Sequence, residues 1–460
     1  MDKRRKRNAL ILVLCIALIG CWQPSAAFAG VKGKGASRAA AEAAGPGAAA
    51  VTETTAAAED TTAAQETAAA AEETTAAETA AAETAATETT AAETAVAAES
   101  AGTEETAAET TTAIETAAAA ETASGQTGTL TMIAAGDNLI HKTIVDKAWR
   151  PETGTHDFSF LYSSIGDLIR SRDLAVINQE TIFVSDNALI SDYPAFGTPQ
   201  AMGEALVDAG FDIVLSATNH TWDKGFRGVS DTLNYWKTAH PEIKLLGIHE
   251  SPEAFNTIDY VEKNGIRLAL FNYTYGLNGF SASQYYLVNL LGQKDKFLSD
   301  VRTAEANADM TVCFLHIGEE YQYQPTAYQK GYINDLIEAG ADLIICAHPH
   351  VVEPCGVVTT ASGKSALVYY SCGNLVSAQS KLPRLLGGLA DVTITKDESG
   401  TRITAWDFIP TVTHFSGRDV RAILLKDYTD ELASIHHVNM TDQPVTTGKL
   451  WSLWHQITGR

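Results

Sequence analysis

The sequence predicts an α/β fold with a largely parallel sheet over residues 128–460, and three observations predict it. Apolar, β-rich runs of four to eight residues alternate with segments whose apolar residues recur at three- and four-residue spacing. Two of those segments end in Ala-Gly just before the next apolar run, at Gly210 and Gly340, where a glycine closes the last helical turn in a left-handed cap. Each apolar run stops abruptly at oxygen- or imidazole-bearing side chains, and in parallel α/β sheets ligands bind beyond the carboxyl ends of the strands.

The chain begins differently. Residues 1–29 read as an export signal: a basic start (Lys3, Arg4, Arg5, Lys6, Arg7), the apolar run "ALILVLCIALIGCW", and "SAAFAG" as an A-x-A type cleavage site after Ala29. "LIGC" at 18–21 is similar to a lipoprotein box with Cys21 as the lipidated residue, and an uncleaved anchor is a third reading. All three place the remainder outside the cytoplasm of a bacterium, attached to the cell envelope or secreted. Residues 30–127 are built from Ala, Thr and Glu, with no basic residue between Arg38 and Lys142. Glu73, Glu78, Glu83, Glu88 and Glu93 recur every fifth residue, a period that makes neither a heptad seam nor an amphipathic stripe. With no apolar face to bury, the segment cannot offset its ordering entropy and is expected to be a disordered, low-complexity stalk. Such a linker spans at most ~330 Å fully extended and averages ~55 Å as a coil.

The formal net charge is −23, and residues 39–127 hold 17 acidic and no basic residues. The folded part remains mildly acidic, which argues against nucleic acid as a partner. Residues 128–410 are expected to form the main domain, and 411–460 an extension packed on it. Cys313 and Cys346 sit inside apolar runs and read as small core residues. Cys355 and Cys372 flank "GVVTTASGKSALVYYS", where a disulfide is weighed against two free thiols; no CxxC zinc pattern is present.

Taken in order, "TLTMIAA" leads to Gly136, Asp137, Asn138 and His141. "LAVI" leads to Asn178, Gln179 and Glu180, and "FDIVLSA" to Thr218, Asn219 and His220. "TVCFL" leads to His316, "ADLIICA" to His348-Pro349-His350, and "ALVYYSC" to Gly373 and Asn374. The helical segments between them are 157–170, 198–210, 228–239 and 329–340. A single histidine after a strand is more often a satisfied structural residue than a ligand. Here Asp137, Glu180, Asn219, His220, His316, His348 and His350 share one topological position, and all are donors suited to zinc, manganese or iron. The proline in His-Pro-His stiffens the turn that presents two rings. Around this set the readings stay double. His141 is a ligand, a substrate contact or surface. Asp223 orients His220 or caps a helix. One of Glu319 and Glu320 points inward or both are solvated, Asn374 bonds substrate or closes a turn, and Tyr273, Tyr275, Tyr321, Tyr323 and Tyr328 line a pocket or a surface loop.

"AAGDNLIH", "VINQETIF", "LSATNHTWDKGFRGVSDTL", "LHIGEEYQYQPTAYQKGYINDLIEAGADLIICAHPHVVEP" and "VYYSCGNLV" resemble the successive blocks of the CapA family, the capsule-biosynthesis proteins associated with poly-γ-glutamate. That family's domain is similar to calcineurin-like metallophosphoesterases. The resemblance runs from about 130 to 378 and implies a four-layer α/β sandwich with two divalent metal ions (Mn, Zn or Fe). It implies Asp137 and His350 on one metal, Asn219, His316 and His348 on the other, Glu180 in the bridging position, and His220, supported by Asp223, as catalytic acid or substrate-binding imidazole. His141, Glu320 and Asn374 are additional candidates. Where the phosphoesterase pattern opens Asp-x-His, this chain has Asp137-Asn138-Leu139, with His141 as the stand-in; the bridging group is Glu180 in place of Asp, and Leu375 follows the Asn where an aromatic is usual. The implied function is a dinuclear metal-dependent hydrolase acting on an anionic envelope polymer or a phosphoester. The alternative is a non-catalytic poly-γ-glutamate synthesis, export or anchoring factor beside membrane-bound synthase components, or a polymer-binding module displayed on a stalk.

Overall fold

The computed structural model describes residues 127–440 and 444–460. The leader, Cys21 and the stalk, Thr127 apart, lie outside the described residues. Two-residue strands apart, the first sheet opens with β1 (Gly128–Asn138), β2 (Leu174–Asn178), β3 (Ile213–Leu215) and β4 (Lys244–Leu246), each parallel to the next. The chain then builds a second sheet from β5 (Asp259–Lys263), β6 (Ile266–Thr274), β7 (Met310–His316), β8 (Leu343–Ala347), β9 (Cys355–Thr359) and β10 (Ser365–Tyr369). It returns to the first sheet with β11 (Asn374–Val376), β12 (Leu386–Asp397), β13 (Gly400–Ser416) and β14 (Asp419–Leu424). The first sheet runs β14-β13-β12-β1-β2-β3-β4, with β11 beside the end of β1; the second runs β9-β10-β8-β7-β6-β5. The longer helices are α1 (Lys142–Ala148), α2 (Ala201–Ala209), α3 (Gly225–Ala239), α4 (Lys294–Glu305), α5 (Ala327–Ala339) and α6 (Thr447–Thr458).

Strand periodicity of two produces four layers. Leu130, Met132, Ala134, Leu174 and Val176 of the first sheet share one cluster with Leu268, Leu270, Val312, Phe314, Leu343 and Ile345 of the second. Their neighbours Ile133, Ala135, Ala175, Ile177 and Val214 pack instead on Met202 and Leu206 of α2 and Tyr235 and Trp236 of α3. On the far side Phe271, Cys313, Leu315, Ile344 and Cys346 pack on Phe297 and Val301 of α4 and Ile333, Leu336 and Ile337 of α5. Strands buried on both faces need unbroken apolar runs, which is why these segments stand out in the sequence. The result is the expected helix–sheet–sheet–helix sandwich.

Gly210 and Gly340 adopt φ of +98° and +117° and close α2 and α5 as expected. Two expectations need correction. Residues 157–170 do not form one helix: a 3₁₀ turn at Ser159–Tyr162 and a short helix at Gly166–Arg170 replace it, because Ser163, Ser164 and Gly166 weaken the middle. The boundary at 410/411 falls inside β13, which pairs Val412 with Ile423 and His414 with Arg421 of β14. The first sheet therefore continues to Leu424, and α6 packs beyond it through Leu450, Trp454 and Ile457, with Trp454 set 4.8 Å from the Phe408 ring. Cys355 and Cys372 are free thiols: Cys372 is committed to the core between the sheets, and Cys355 is only partly buried. No helix among the described residues is long and apolar enough to cross a membrane.

Candidate metal centre

Register assembles the site. In the first sheet Asp137 lies opposite Asn178 of β2 and Asn374 of β11; in the second, His316 lies opposite Ala347, the residue before His348. Asn178 and Glu180 are two apart, and Asn178 Nδ2 donates to Asp137 Oδ1 at 2.7 Å. β1 slips register between Ala135 and Asp137, a bulge that re-aims the aspartate.

At the centre stands Glu180, 1% exposed, with both carboxylate oxygens buried and without a hydrogen-bond partner. Its Oε1 lies 3.7 Å from His316 Nε2 and 3.7 Å from His350 Nε2. Asp137 Oδ2 is 3.2 Å from His350 Nδ1, and Asn219 Oδ1 is 2.9 Å from His316 Nε2. Three groups have ligand atoms close enough to share a cation: Asp137, Glu180 and His350; Glu180, His316 and His348; and Glu320, His348 and His350. The first two share Glu180, so the expected bridging residue stands between the two expected ligand sets. A buried carboxylate with two unpartnered oxygens is costly unless a cation meets it, and His348 Nδ1 is likewise buried and unpartnered. The oxygen and imidazole donors fit divalent metals of the zinc, manganese or iron kind.

The electrostatics follow from this crowding. Burial pushes the Glu180 carboxyl well up, with Asp137 adding to the rise. Burial drives His316 and His348 well below the usual imidazole range, which keeps both neutral and able to ligate. Burial also opposes charge on His350, but Glu180 and Asp137 outweigh it and hold its pKa at about 10.

Beside the triads, Asp223 Oδ2 lies 2.7 Å from His220 Nδ1 and also accepts the Phe196 N–H at 2.7 Å. Phe196 packs its ring edge-on to His220 with centroids 4.8 Å apart. Asp223 thus orients His220 and does not cap α3, which begins at Gly225 after Lys224.

The family model of the bacterial capsule synthesis protein PGA_cap matches residues 131–379, from β1 to just past β11. The chain belongs to that family. Every ligand candidate of this PGA_cap domain falls inside the match. The chain is similar to the capsule biosynthesis protein CapA of Bacillus anthracis, 32% identical over 181 residues that cover 38% of this chain and 42% of that one. It is similar to the PGA biosynthesis protein CapA of Bacillus subtilis (strain 168), 32% identical over 177 residues covering 38% and 45%. These matches span less than half the length of the curated relatives. Among solved structures, a phosphatase from Mycoplasma pneumoniae aligns at TM-score 0.39 and 13% identity, covering 62% of this chain and 94% of that one. The calcineurin-like phosphoesterase YfkN of Bacillus subtilis aligns at TM-score 0.35 and 11% identity, covering 72% and 97%.

The PGA_cap centre gathers Asp137, Glu180, Asn219, His220, Asp223, His316, Glu320, His348 and His350. Asn374 touches it from behind: its Oδ1 is 3.2 Å from His350 Nδ1, and its Nδ2 donates to the His350 carbonyl at 3.2 Å. His141 belongs to none of the three groups; its Nδ1 lies 3.1 Å from the Leu139 carbonyl oxygen and 3.2 Å from the Ala378 nitrogen, and burial holds its pKa below the ordinary range. Glu319 also lies outside them. Tyr275 packs 4.6 Å from the His348 ring and Tyr321 6.0 Å from His350. Tyr273 instead stacks on Phe297 in the core, at 3.8 Å. Sequence reasoning missed Asn278, whose Oδ1 accepts from Asn219 Nδ2 at 3.1 Å and whose Nδ2 is 3.3 Å from His220 Nδ1. It sits in a loop without a motif. Asn178 was legible: it precedes Glu180 by two residues at the end of a strand.

Proposed function

We propose that this PGA_cap-family chain is a metal-dependent hydrolase held outside the cytoplasm, acting in the metabolism of poly-γ-glutamate or another anionic envelope polymer. The observation that carries the reading is Glu180, buried with both oxygens unpartnered between His316 and His350. Asp137, Glu180 and His350 would hold one divalent ion; Glu180, His316 and His348, with Asn219 beside them, would hold a second. When bound, such ions polarise a scissile carbonyl or phosphoryl oxygen and make water a nucleophile at neutral pH.

The chain's own residues supply the rest. With Nδ1 turned to Asp223, His220 keeps Nε2 for substrate, where a protonated ring donates to a leaving oxygen or nitrogen. Asp223 stabilises that charged ring and fixes its orientation, and Phe196 packs against it. Tyr275 and Tyr321 flank the histidines and limit the approach to them. The same arrangement serves a phosphoester or a γ-glutamyl amide. The folded part is acidic, so an anionic substrate depends on local positive charge at the centre.

The test is metal content by mass spectrometry and turnover on phosphodiester and poly-γ-glutamate substrates, using the full chain. Two metals per chain are expected, with most lost in H348A/H350A. H220N should keep its metal and lose about 10²–10⁴-fold in turnover. A metal-free parent that Mn, Zn and Fe cannot reload would overturn the proposal. Metal retained without turnover on either substrate would favour the non-catalytic export, anchoring or polymer-binding role.

A further inference from the structure

Beside the metal centre lies an open groove of about 860 Å³ between α6, the 3₁₀ turn at Leu382–Leu385 and the loop carrying Tyr323. Lys381 and Lys449 line it, and no described lining residue is a carboxylate. That is unexpected on an acidic surface: residues 128–460 hold 38 Asp and Glu against 25 Lys and Arg. The local sequence explains it, because no acidic residue occurs between Glu353 and Asp391, while Lys364, Lys381 and Arg384 do. Among the described residues, neither lysine nor Arg384 lies within ion-pair distance of a carboxylate.

The groove is wired to the centre. The Arg384 guanidinium lies 3.4 Å over the Tyr321 ring, and that ring is 6.0 Å from His350. Asn374, which touches His350, donates to the Arg384 carbonyl at 3.0 Å and to Gln379 Oε1 at 3.1 Å. Tyr321 and Tyr323, Gln379 and Lys381 thus connect ligand set and groove within a few residues of chain.

Resting on the reading of the centre as a polymer hydrolase, we propose that this groove binds a polycarboxylate chain, with Lys381 and Lys449 taking its carboxylates and Arg384 steering the bound segment toward His350. The wall chemistry selects that class. Pro383 and Leu453 offer apolar surface to a methylene backbone, Ser452 and Gln456 offer hydrogen bonds to its amides, and the cations match regularly spaced carboxylates. A polyphosphate has no methylene backbone to use the apolar wall.

The test is fluorescence anisotropy of the full-length protein with labelled poly-γ-glutamate, polyphosphate of matched length and a neutral polyamide, at low and physiological salt, with metal content read on the same samples. Poly-γ-glutamate is expected to bind best, more weakly as salt rises, and about tenfold or more weakly in K381Q/K449Q and in R384Q, with metal content at the parent level. Unchanged affinity in both variants, or equal affinity for polyphosphate or the neutral chain, would overturn the assignment. So would concentration-dependent self-association that K381Q/K449Q abolishes without any polymer bound, which would give the groove to an acidic segment of another copy. The two readings fail separately. Polymer bound by a protein that cannot take metal overturns the hydrolase and leaves the groove; metal retained with variant-insensitive binding does the reverse.

Discussion

Two of the imidazoles around Glu180 stand on backbone that side-chain-bearing residues rarely adopt, with φ of +108° at His348 and +57° at His350. Such positions store about 1–3 kcal/mol each and persist where surrounding structure fixes them. Here the fixing is visible. The Pro349 carbonyl accepts the Tyr321 N–H at 2.8 Å, and the Pro349 ring lies so near Gly318 that a Cβ there would come within 2.7 Å of it. The sequence made His348 and His350 legible as ligands, because paired imidazoles at a strand end have few structural uses. It did not reveal their conformation, since histidine carries no sign of a positive φ. The strain has a direct consequence. H348G and H348A both delete the ring, but only glycine relieves the backbone, so in metal-free protein H348G should be the more stable by about 1 kcal/mol. Urea unfolding of the two variants with chelator present measures this, and equal or lower stability of H348G would place no strain at that residue.

At the scale of elements, the site depends on how closely β1 and β11 approach. A Cβ on Gly136 would fall 2.0 Å from the Gly373 carbonyl oxygen and 3.0 Å from Cys372, both backbone-constrained. G136A must therefore push apart the two strands that present Asp137 and Asn374, and it should cost about 1–3 kcal/mol together with metal affinity. Gly331 in α5 meets nothing within 4 Å, so G331A should instead stabilise by about 0.5–1 kcal/mol. Thermal melts and metal content of both variants check the contrast; G136A with parental Tm and metal would refute the close-approach argument. The parallel strands were legible because burial on both faces makes them continuous apolar runs, and α2 and α5 because glycine ends them. β13 was not: "PTVTHFS" alternates with period two, but it shows that alternation only weakly and reads as mixed loop and helix without its partner β14. The 157–170 segment erred the other way, since its apolar spacing suits one helix while Ser163, Ser164 and Gly166 interrupt it.

Across the whole molecule, the two sheets divide the chemistry. Asp137 and Glu180 come from the ends of β1 and β2 in the first sheet, and His316, His348 and His350 from the ends of β7 and β8 in the second. A cation held by either of the two triads that contain Glu180 therefore ties one sheet to the other at their carboxyl edge, where Glu180 otherwise faces burial without a partner. Elsewhere the sheets are joined by apolar packing and by scattered polar contacts, such as the Tyr369 hydroxyl to the Asp407 carbonyl at 2.8 Å and Lys396 to Asp309 at 2.8 Å, so a bound cation would make the centre one more clasp between them as well as a site for chemistry. A ligand that binds only the folded state stabilises it by about 2.7 kcal/mol at a hundred times its dissociation constant, and two sites contribute separately. Removing metal with a chelator should lower Tm by several degrees, and reloading should restore it. The loss should also be local: amide exchange should quicken at the ends of β1, β2, β7 and β8 around the centre, while the β13–β14 edge of the first sheet, separated from β1 by β12, keeps its protection. Calorimetry and hydrogen exchange on chelated and reloaded full-length protein measure both effects. A stripped chain that melts at the parental temperature, with unchanged exchange at those strand ends, would show that the other contacts between the sheets hold them together without a cation and that Glu180 tolerates its isolation.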